Sequence, residues 1–217
     1  MKQNRKVYLR LANGKTFAGY SFGKYGTSDG EVVFTTGMTG YPESLTVPSY
    51  SGQMLVFTYP LIGNYGIPRF ERDDTAKTIQ DGFESGRIQV RGMIISNYSF
   101  EYSHFDAAGS LHTWLQENDI PGIYGIDTRE LTKTLRTTGV MLGRITTEPG
   151  EDNLDIIDPN ETDLAGMVGV KEPVIYSPKK NKNPKKILLI DCGVKNNIIR
   201  NFVNRGAEVI RVPLGYD

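Results

Sequence analysis

The stretch ILLIDCGVKNNIIRNFVNRGAEVIRVP, residues 187–213, decides the fold class of the C-terminal part of the chain. It opens with a continuous apolar run, Ile187 to Ile190, which is typical of a strand buried on both faces of a parallel sheet. An apolar stripe at helical spacing follows, made of Ile198, Ile199, Phe202 and Val203. Arg205-Gly206 ends the predicted helix, and Glu208 to Pro213 begins a second strand. This order predicts the opening β–α–β of a Rossmann-like or flavodoxin-like layer.

The layer that begins at Ile187 is expected to be incomplete. Residues 187–217 are too few to close a doubly wound sheet, so its parallel strands and one face of its helix would lack partners. We therefore interpret the chain as one intact domain followed by the start of a second.

Strand patterns dominate residues 1–150 and predict a β-rich N-terminal domain, so that the chain as a whole is mixed α/β. Val7 to Leu11 and Lys15 to Tyr20 alternate at period two, and Asn13-Gly14 predicts a tight hairpin turn with two positive-φ residues. Further strands are predicted at residues 31–36, 53–59, 90–96, 123–126 and 140–146.

Two helices are predicted to pack on these strands. Leu111, Trp114 and Leu115 share one face of the first, which ends where Pro121-Gly122 breaks the pattern. Asp127 and Glu130 form a capping-box start for the second, and Gly139 suits its C-terminal left-handed position. Residues 151–186 are interpreted as a connection, and the five lysines between Ser177 and Lys186 as a solvated tether.

The overall composition excludes several classes of protein. Twenty-five Lys and Arg balance 25 Asp and Glu, which argues against nucleic acid or a membrane surface as a partner. No apolar run approaches the roughly 18–20 residues of a membrane span, and we expect no signal peptide at the N-terminus. A single cysteine excludes an internal disulfide. A cytoplasmic protein is the expectation.

Cys192 is the most obvious candidate nucleophile, because it follows a strand and precedes a helix. A nucleophile elbow is flanked by small residues, however, and here Asp191 precedes the cysteine and Val194 follows Gly193. A thiol also needs a base, and the two histidines, His104 and His112, lie far back in the chain. We expect no catalytic residue and no metal site in this chain.

The loop over residues 37–52 combines Gly, Pro, Thr, Ser and Tyr side chains. It could offer hydroxyl and backbone N–H groups to a small polar ligand, or it could be a hydrogen-bonded connection without a ligand. Composition alone favours the connection.

Several stretches together resemble one family. EVVFTTGMTGY at 31–41, PSYS at 48–51, TYPLIGNYG at 58–66 and IDTRELT at 126–132 resemble the N-terminal domain of the small, glutamine-hydrolysing subunit of carbamoyl-phosphate synthase. DCGVKNNI at 191–198 resembles the start of the class I glutamine amidotransferase domain that follows it in that family.

The resemblance implies an enzyme subunit of arginine and pyrimidine synthesis. It would hydrolyse glutamine and pass the ammonia to a large ATP-using subunit, which makes carbamoyl phosphate from bicarbonate. ATP and Mg²⁺ belong to that partner, so no cofactor is expected in this chain. The family's catalytic Cys, His and Glu would lie beyond Asp217, Cys192 corresponds to a non-nucleophilic position, and the piece should be inert alone.

One ligand residue is implied by the resemblance. The serine of the Pro-Ser-Tyr motif contacts bound glutamine in the family, which assigns that role to Ser49, although Val47 stands where the family commonly has Asp. The family's N-terminal domain also contacts the large subunit, and Tyr20, Phe22 and Tyr25 would suit an exposed docking face. The alternatives are a non-catalytic docking or scaffold module that binds a partner subunit, and a small-ligand-binding α/β protein without catalysis.

Overall fold

The computed structural model describes residues 5–150, 155–156, 158–181 and 183–217. These residues form two compact units. The first, called here the barrel unit, falls within 1–41, 52–69 and 90–161, and the second, the small-sheet unit, within 42–51, 70–89 and 162–217. Strands and helices are mixed in the chain, as predicted, and two segments of the predicted 1–150 domain cluster with the small-sheet unit.

A closed barrel of seven strands makes up the first unit, in the order β1-β2-β6-β5-β4-β3-β7. The strands are β1 (Lys6–Leu11), β2 (Thr16–Gly23), β3 (Ser28–Thr35), β4 (Gln53–Phe57), β5 (Gly92–Ile95), β6 (Pro121–Tyr124) and β7 (Met141–Thr146). The pairs β3–β4, β4–β5 and β5–β6 are parallel, and the remaining pairs are antiparallel. The strands predicted from the sequence all form, with ends displaced by a few residues.

The described residues also form five α-helices: α1 (Tyr41–Leu45), α2 (Leu111–Glu117), α3 (Thr128–Thr138), α4 (Leu164–Val168) and α5 (Asn196–Asn204). The predicted apolar face of α2 is confirmed, because Leu111, Trp114 and Leu115 are all buried. None of the helices among the described residues is both long and apolar enough to cross a bilayer.

Alternate residues of the barrel strands share one buried cluster with α3, as the period of two requires. The cluster consists of Val7, Leu9, Leu11, Val32, Met54, Val56, Ile94, Ile123, Ile126, Leu131, Leu135 and Ile145. The predicted helix start is confirmed, since Oδ1 of Asp127 accepts the N–H of Glu130 at 2.9 Å. Gly139 ends the helix at φ +85°, whereas the Glu130 carboxylate pairs with Lys15 at 3.2 Å instead of reaching back.

The first hairpin forms, but its turn differs from the prediction. The N–H of Gly14 donates to the carbonyl of Leu11, and the N–H of Leu11 donates to the carbonyl of Lys15. Gly14 has φ +84°, whereas Asn13 is not among the positive-φ residues. The loop is therefore a three-residue connection with one left-handed glycine rather than a two-residue turn with two.

Pro121-Gly122 was predicted to end the helix before it, and α2 does end at Glu117, but both residues also belong to β6, which was predicted to begin at Ile123. Pro121 is the first residue of that strand, a position where proline is tolerated. A Cβ on Gly122 would lie 2.5 Å from Cε1 of Phe22, so the glycine leaves room for that ring. Phe22 is consequently buried, and its predicted place on an exposed docking face is wrong, whereas Tyr25 is exposed.

In the small-sheet unit three strands pair in the order β8-β10-β9: β8 (Val174–Tyr176), β9 (Lys186–Asp191) and β10 (Glu208–Pro213). Strand β10 runs parallel to β9 with α5 between them in the chain, which is the predicted β–α–β order. Strand β8 is an antiparallel neighbour of β10 within the segment interpreted as a connection. That this sheet belongs to a Rossmann-like layer stays a prediction.

Strand β9 is buried on one face only, contrary to the prediction for its apolar run. Ile187 and Leu189 are partly buried, whereas Leu188 and Ile190 are exposed by 64% and 61%. On the buried face, Leu189 packs in one cluster with Val209 of β10 and Ile199 of α5.

Removing the cap of α3 should destabilise the barrel unit. Asp127→Ala leaves the N–H of Glu130 without its acceptor and is expected to lower the free energy of unfolding by about 1 kcal/mol. Asp127→Asn, which keeps an oxygen at this position, should retain most of the stability. Urea unfolding followed by circular dichroism measures both, and equal stability of the alanine variant and the unaltered chain would contradict the assignment.

Candidate functional site

Ser49 is the middle residue of a short 3₁₀ helix, Pro48–Tyr50, in the small-sheet unit, and its side chain is exposed. Proline at the first helical position has no N–H that needs a partner. Val47, the buried residue before Pro48, has an extended backbone (φ −67°, ψ 121°) and offers no side-chain oxygen as a cap. Only backbone bonds close the turn, from Tyr50 N–H to the carbonyl of Val47 and from Ser51 N–H to that of Pro48, both 3.0 Å.

Thr46 links the chain before Ser49 to the segment 70–89 through hydrogen bonds. Its buried hydroxyl lies 3.0 Å from the carbonyl oxygens of Pro42 and Glu43, and it accepts the N–H of Glu84 at 2.9 Å. The hydroxyl of Ser85 donates to the carbonyl of Thr46 at 2.6 Å. Sequence reasoning missed Thr46, because its partners lie far along the chain.

Glu84 also caps the first turn of α5 from a distant part of the chain. Its carbonyl accepts the N–H of Asn196 at 2.9 Å, and its Oε2 accepts the N–H of Asn197 at 3.0 Å. The N-cap residue Lys195 provides no side-chain bond of its own. Glu84 therefore satisfies two free N–H groups of the first helical turn, one through its carbonyl and one through its carboxylate, and negative charge is favoured there.

The turn after β9 packs against the 3₁₀ helix that carries Ser49. Gly193 has φ +97°, a conformation that side chains other than hydrogen rarely adopt. A Cβ built there would lie 3.1 Å from Cβ of Pro48 and 2.7 Å from Cγ2 of Val168. Two stretches that carry the family resemblance, 48–51 and 191–198, are thus in contact within one unit.

Asp191, interpreted from the sequence only as a turn residue, is completely buried at the end of β9. Its Oδ1 accepts the N–H groups of Gly193 and Val194, both at 2.9 Å. Its Oδ2 accepts the N–H of Val170 at 2.7 Å, and Nε and Nη2 of buried Arg211 each lie 2.7 Å from the same oxygen. Charge-assisted bonds and a paired cation are what a buried carboxylate requires.

Cys192 lies in this turn with an exposed side chain. The two histidines both belong to the barrel unit, where each ring accepts a hydrogen bond from a backbone N–H. Nδ1 of His112 accepts the N–H of Gly23 at 2.9 Å, and Nδ1 of His104 accepts that of Asp106 at 3.3 Å. Over the described ranges, no three His, Cys, Asp or Glu side chains come together as a possible metal cluster.

A cavity of about 240 Å³ lies within the small-sheet unit. Three buried polar side chains, Gln89, Asn196 and Arg211, contribute to its wall. The end of α4 and the residues after it also line the cavity: Met167, Val168, Gly169 and Val170. No sequence motif indicated the cavity, since its lining comes from segments far apart in the chain.

Burial raises the pKa of two acidic side chains in the small-sheet unit. Desolvation, reinforced by the like charge of Glu84, raises the pKa of the Glu43 carboxyl. Desolvation also raises the pKa of the Tyr176 phenol, and the neighbouring Arg211 guanidinium opposes that rise. The charged form of Glu43 is therefore disfavoured by folding.

Comparison with known proteins gives a consistent match. The family described as "Carbamoyl-phosphate synthase small chain, CPSase domain" matches residues 9–145. The arginine-specific small chain of carbamoyl phosphate synthase from Saccharomyces cerevisiae is 46% identical over 97% of this chain and 51% of its own length. Multifunctional protein URA2 of the same yeast is 44% identical over 99% of this chain and 11% of its own length.

A third relative is the mitochondrial carbamoyl-phosphate synthase [ammonia] of Mus musculus, 44% identical over 98% of this chain and 14% of its own length. The chain thus spans about half of the yeast small chain and a much smaller part of the other two relatives. Among solved structures, an aminopeptidase from Aneurinibacillus sp. strain AM-1 aligns with a TM-score of 0.33 and 13% identity over 85% of this chain and 38% of its own, which is too slight to indicate a shared fold.

Neutralising Glu43 should stabilise the protein at neutral pH. A carboxyl whose folded-state pKa is raised contributes stability below its unfolded pKa and loses that contribution as the pH rises. Glu43→Gln is therefore expected to unfold at a higher temperature than the unaltered chain at pH 7, and the difference should shrink as the medium becomes acidic. Glu172→Gln, at an exposed position of the same unit, is the matched control. A lower midpoint for Glu43→Gln at pH 7 would refute the expectation.

Proposed function

The chain belongs to the carbamoyl-phosphate synthase small-chain family, and on that premise we propose that it hydrolyses glutamine as part of the small subunit of that enzyme. The ammonia released passes to an ATP-using synthetase partner. There it combines with bicarbonate and with phosphate from ATP to give carbamoyl phosphate. ATP and Mg²⁺ belong to the partner, and this chain needs no cofactor of its own.

The contact between Pro48 and Gly193 is the observation that carries this proposal. It places Pro48, the residue before the exposed Ser49, against the turn that follows β9, where the chain resembles an amidotransferase domain. A hydroxyl both donates and accepts, so Ser49 can bind either polar group at the α-carbon of glutamine. Such a contact orients the substrate and leaves its side-chain amide for the chemical step.

The chemical step itself needs a thiolate, a base and donors for the developing oxyanion. Cys192 is not proposed as this nucleophile. Asp191 and Val194 flank its turn in place of the small residues of an elbow. A single cysteine, and therefore no internal disulfide, suits a reducing compartment such as the cytoplasm.

The barrel unit offers a surface for the synthetase partner. Phe105 is 97% exposed, and Phe100 and Tyr102 of the same loop are exposed as well. Exposed apolar side chains that cluster on one loop mark interaction sites more often than single ones do. This loop replaces the predicted face around Phe22 as the candidate docking surface, and it is also what a non-catalytic docking module would use.

Ser49→Ala should weaken glutamine binding without affecting the synthetase. In the protein expressed from its complete gene with its synthetase, KM for glutamine is expected to rise about tenfold, since a hydrogen bond to a charged group is lost. The rate with added ammonium salt, which bypasses glutamine, should stay the same. Cys192→Ser is the control and should leave both rates unchanged. Loss of glutamine hydrolysis in Cys192→Ser would identify this thiol as the nucleophile, and complete absence of hydrolysis in the unaltered protein would favour the docking module.

Phe105→Glu should weaken association with the synthetase, because a charge replaces an apolar side chain at the centre of the proposed contact. Val140→Glu, which alters another exposed apolar position of the barrel unit, is the matched control. Size-exclusion chromatography of the mixed subunits measures both. Equal retention of the complex in the two variants would exclude the 100–105 loop from the interface.

A further inference from the structure

The Asp191 carboxylate determines the shape of the turn that follows β9. One oxygen accepts two consecutive N–H groups, those of Gly193 and Val194, and so holds the positive φ of the glycine. The other oxygen is bound by Val170 N–H and by Arg211. Both oxygens therefore face donors only, which a carboxylate satisfies and a carboxamide cannot.

This turn packs against the 3₁₀ helix that carries Ser49. The α-carbon of Gly193 lies close to Pro48: a Cβ on it would be 3.1 Å from the proline Cβ, so a methyl group there would push Pro48 by a few tenths of an ångström. Pro48 is buried and directly precedes Ser49. On its other side the segment is held by Thr46 through the N–H of Glu84. A shift of the turn would thus move the Ser49 hydroxyl.

We propose that Asp191 is a positioning residue for glutamine binding, which acts through Gly193 and Pro48 on the Ser49 hydroxyl. The inference rests on the proposed function, since Ser49 matters only if glutamine binds there. Asp191 is completely buried and does not itself meet the substrate. Its effect is on the affinity of the site and not on the chemistry of amide cleavage.

Two glycines of the same unit provide a matched pair of variants. Gly193 and Gly206 have φ +97° and +85°, so alanine strains the backbone similarly at both. At Gly193 the new methyl group meets Pro48 and Val168, whereas at Gly206 the nearest atom is the Asn181 side-chain nitrogen at 3.5 Å. Only Gly193→Ala should displace the Ser49 helix.

The experiment compares these variants in the protein expressed from its complete gene with its synthetase. Gly193→Ala is expected to raise KM for glutamine by about tenfold or more, with kcat and the ammonium-dependent rate within about twofold of the unaltered enzyme. Gly206→Ala should change none of the three. Asp191→Asn should reproduce the effect of Gly193→Ala, because its amide group must face an N–H.

If Gly193→Ala does not fold, the double variant Gly193→Ala/Val168→Ala takes its place. It removes the 2.7 Å contact with Val168 and retains the one with Pro48.

A rise in KM common to Gly193→Ala and Asp191→Asn, and absent from Gly206→Ala, supports the proposal. Equal KM values in all three variants would overturn it, as would a fall in kcat and in the ammonium-dependent rate without a change in KM. Failure of the proposed function is a separate result, since the unaltered enzyme would then show no glutamine hydrolysis, or Ser49→Ala would leave KM unchanged.

Discussion

The buried ion pair between Asp191 and Arg211 organises the small-sheet unit. Burying a carboxylate costs several kcal/mol, and only a paired cation with well-directed hydrogen bonds offsets that cost. Asp191 has both, since it also accepts three backbone N–H groups from the Gly193 turn and from the chain after α4. Strands β9 and β10 are thereby joined by side chains as well as by their parallel ladder.

Two segments of the candidate site are crossover connections between barrel strands along the chain. Strands β3, β4 and β5 are parallel neighbours, and parallel strands require long crossover connections. The crossover from β3 to β4 contains the 3₁₀ helix Pro48–Tyr50, and the one from β4 to β5 contains residues 70–89. Both belong to the small-sheet unit. The strand order of the barrel therefore demands the connections that supply Ser49 and its support through Thr46 and Glu84.

Most expectations that rest on short-range interactions agree with the structure, although the Asn13-Gly14 turn and the reach of Glu130 do not, and the expectation for Phe22 failed for want of a distant partner. The buried face of α2 and the Asp127 cap of α3 arise within a few residues of chain. Phe22 was expected on a surface, because nothing in its own strand indicates that Gly122 opens a space for its ring. The role of Ser49 in binding glutamine stays a prediction, and the structure adds the surroundings on which it depends.

The sequence by itself determined the family, the mixed α/β class and the order of strands and helices apart from α1, α4 and β8, because periodicity, capping residues and turn glycines act between neighbours along the chain. Only the tertiary structure decided that Pro48 meets Gly193, that Thr46 binds Glu84, and that Asp191 is paired rather than left in a turn. Those contacts join residues 20 to about 145 positions apart in the chain. No local pattern encodes them, since they form only when separate segments pack and lose their water together.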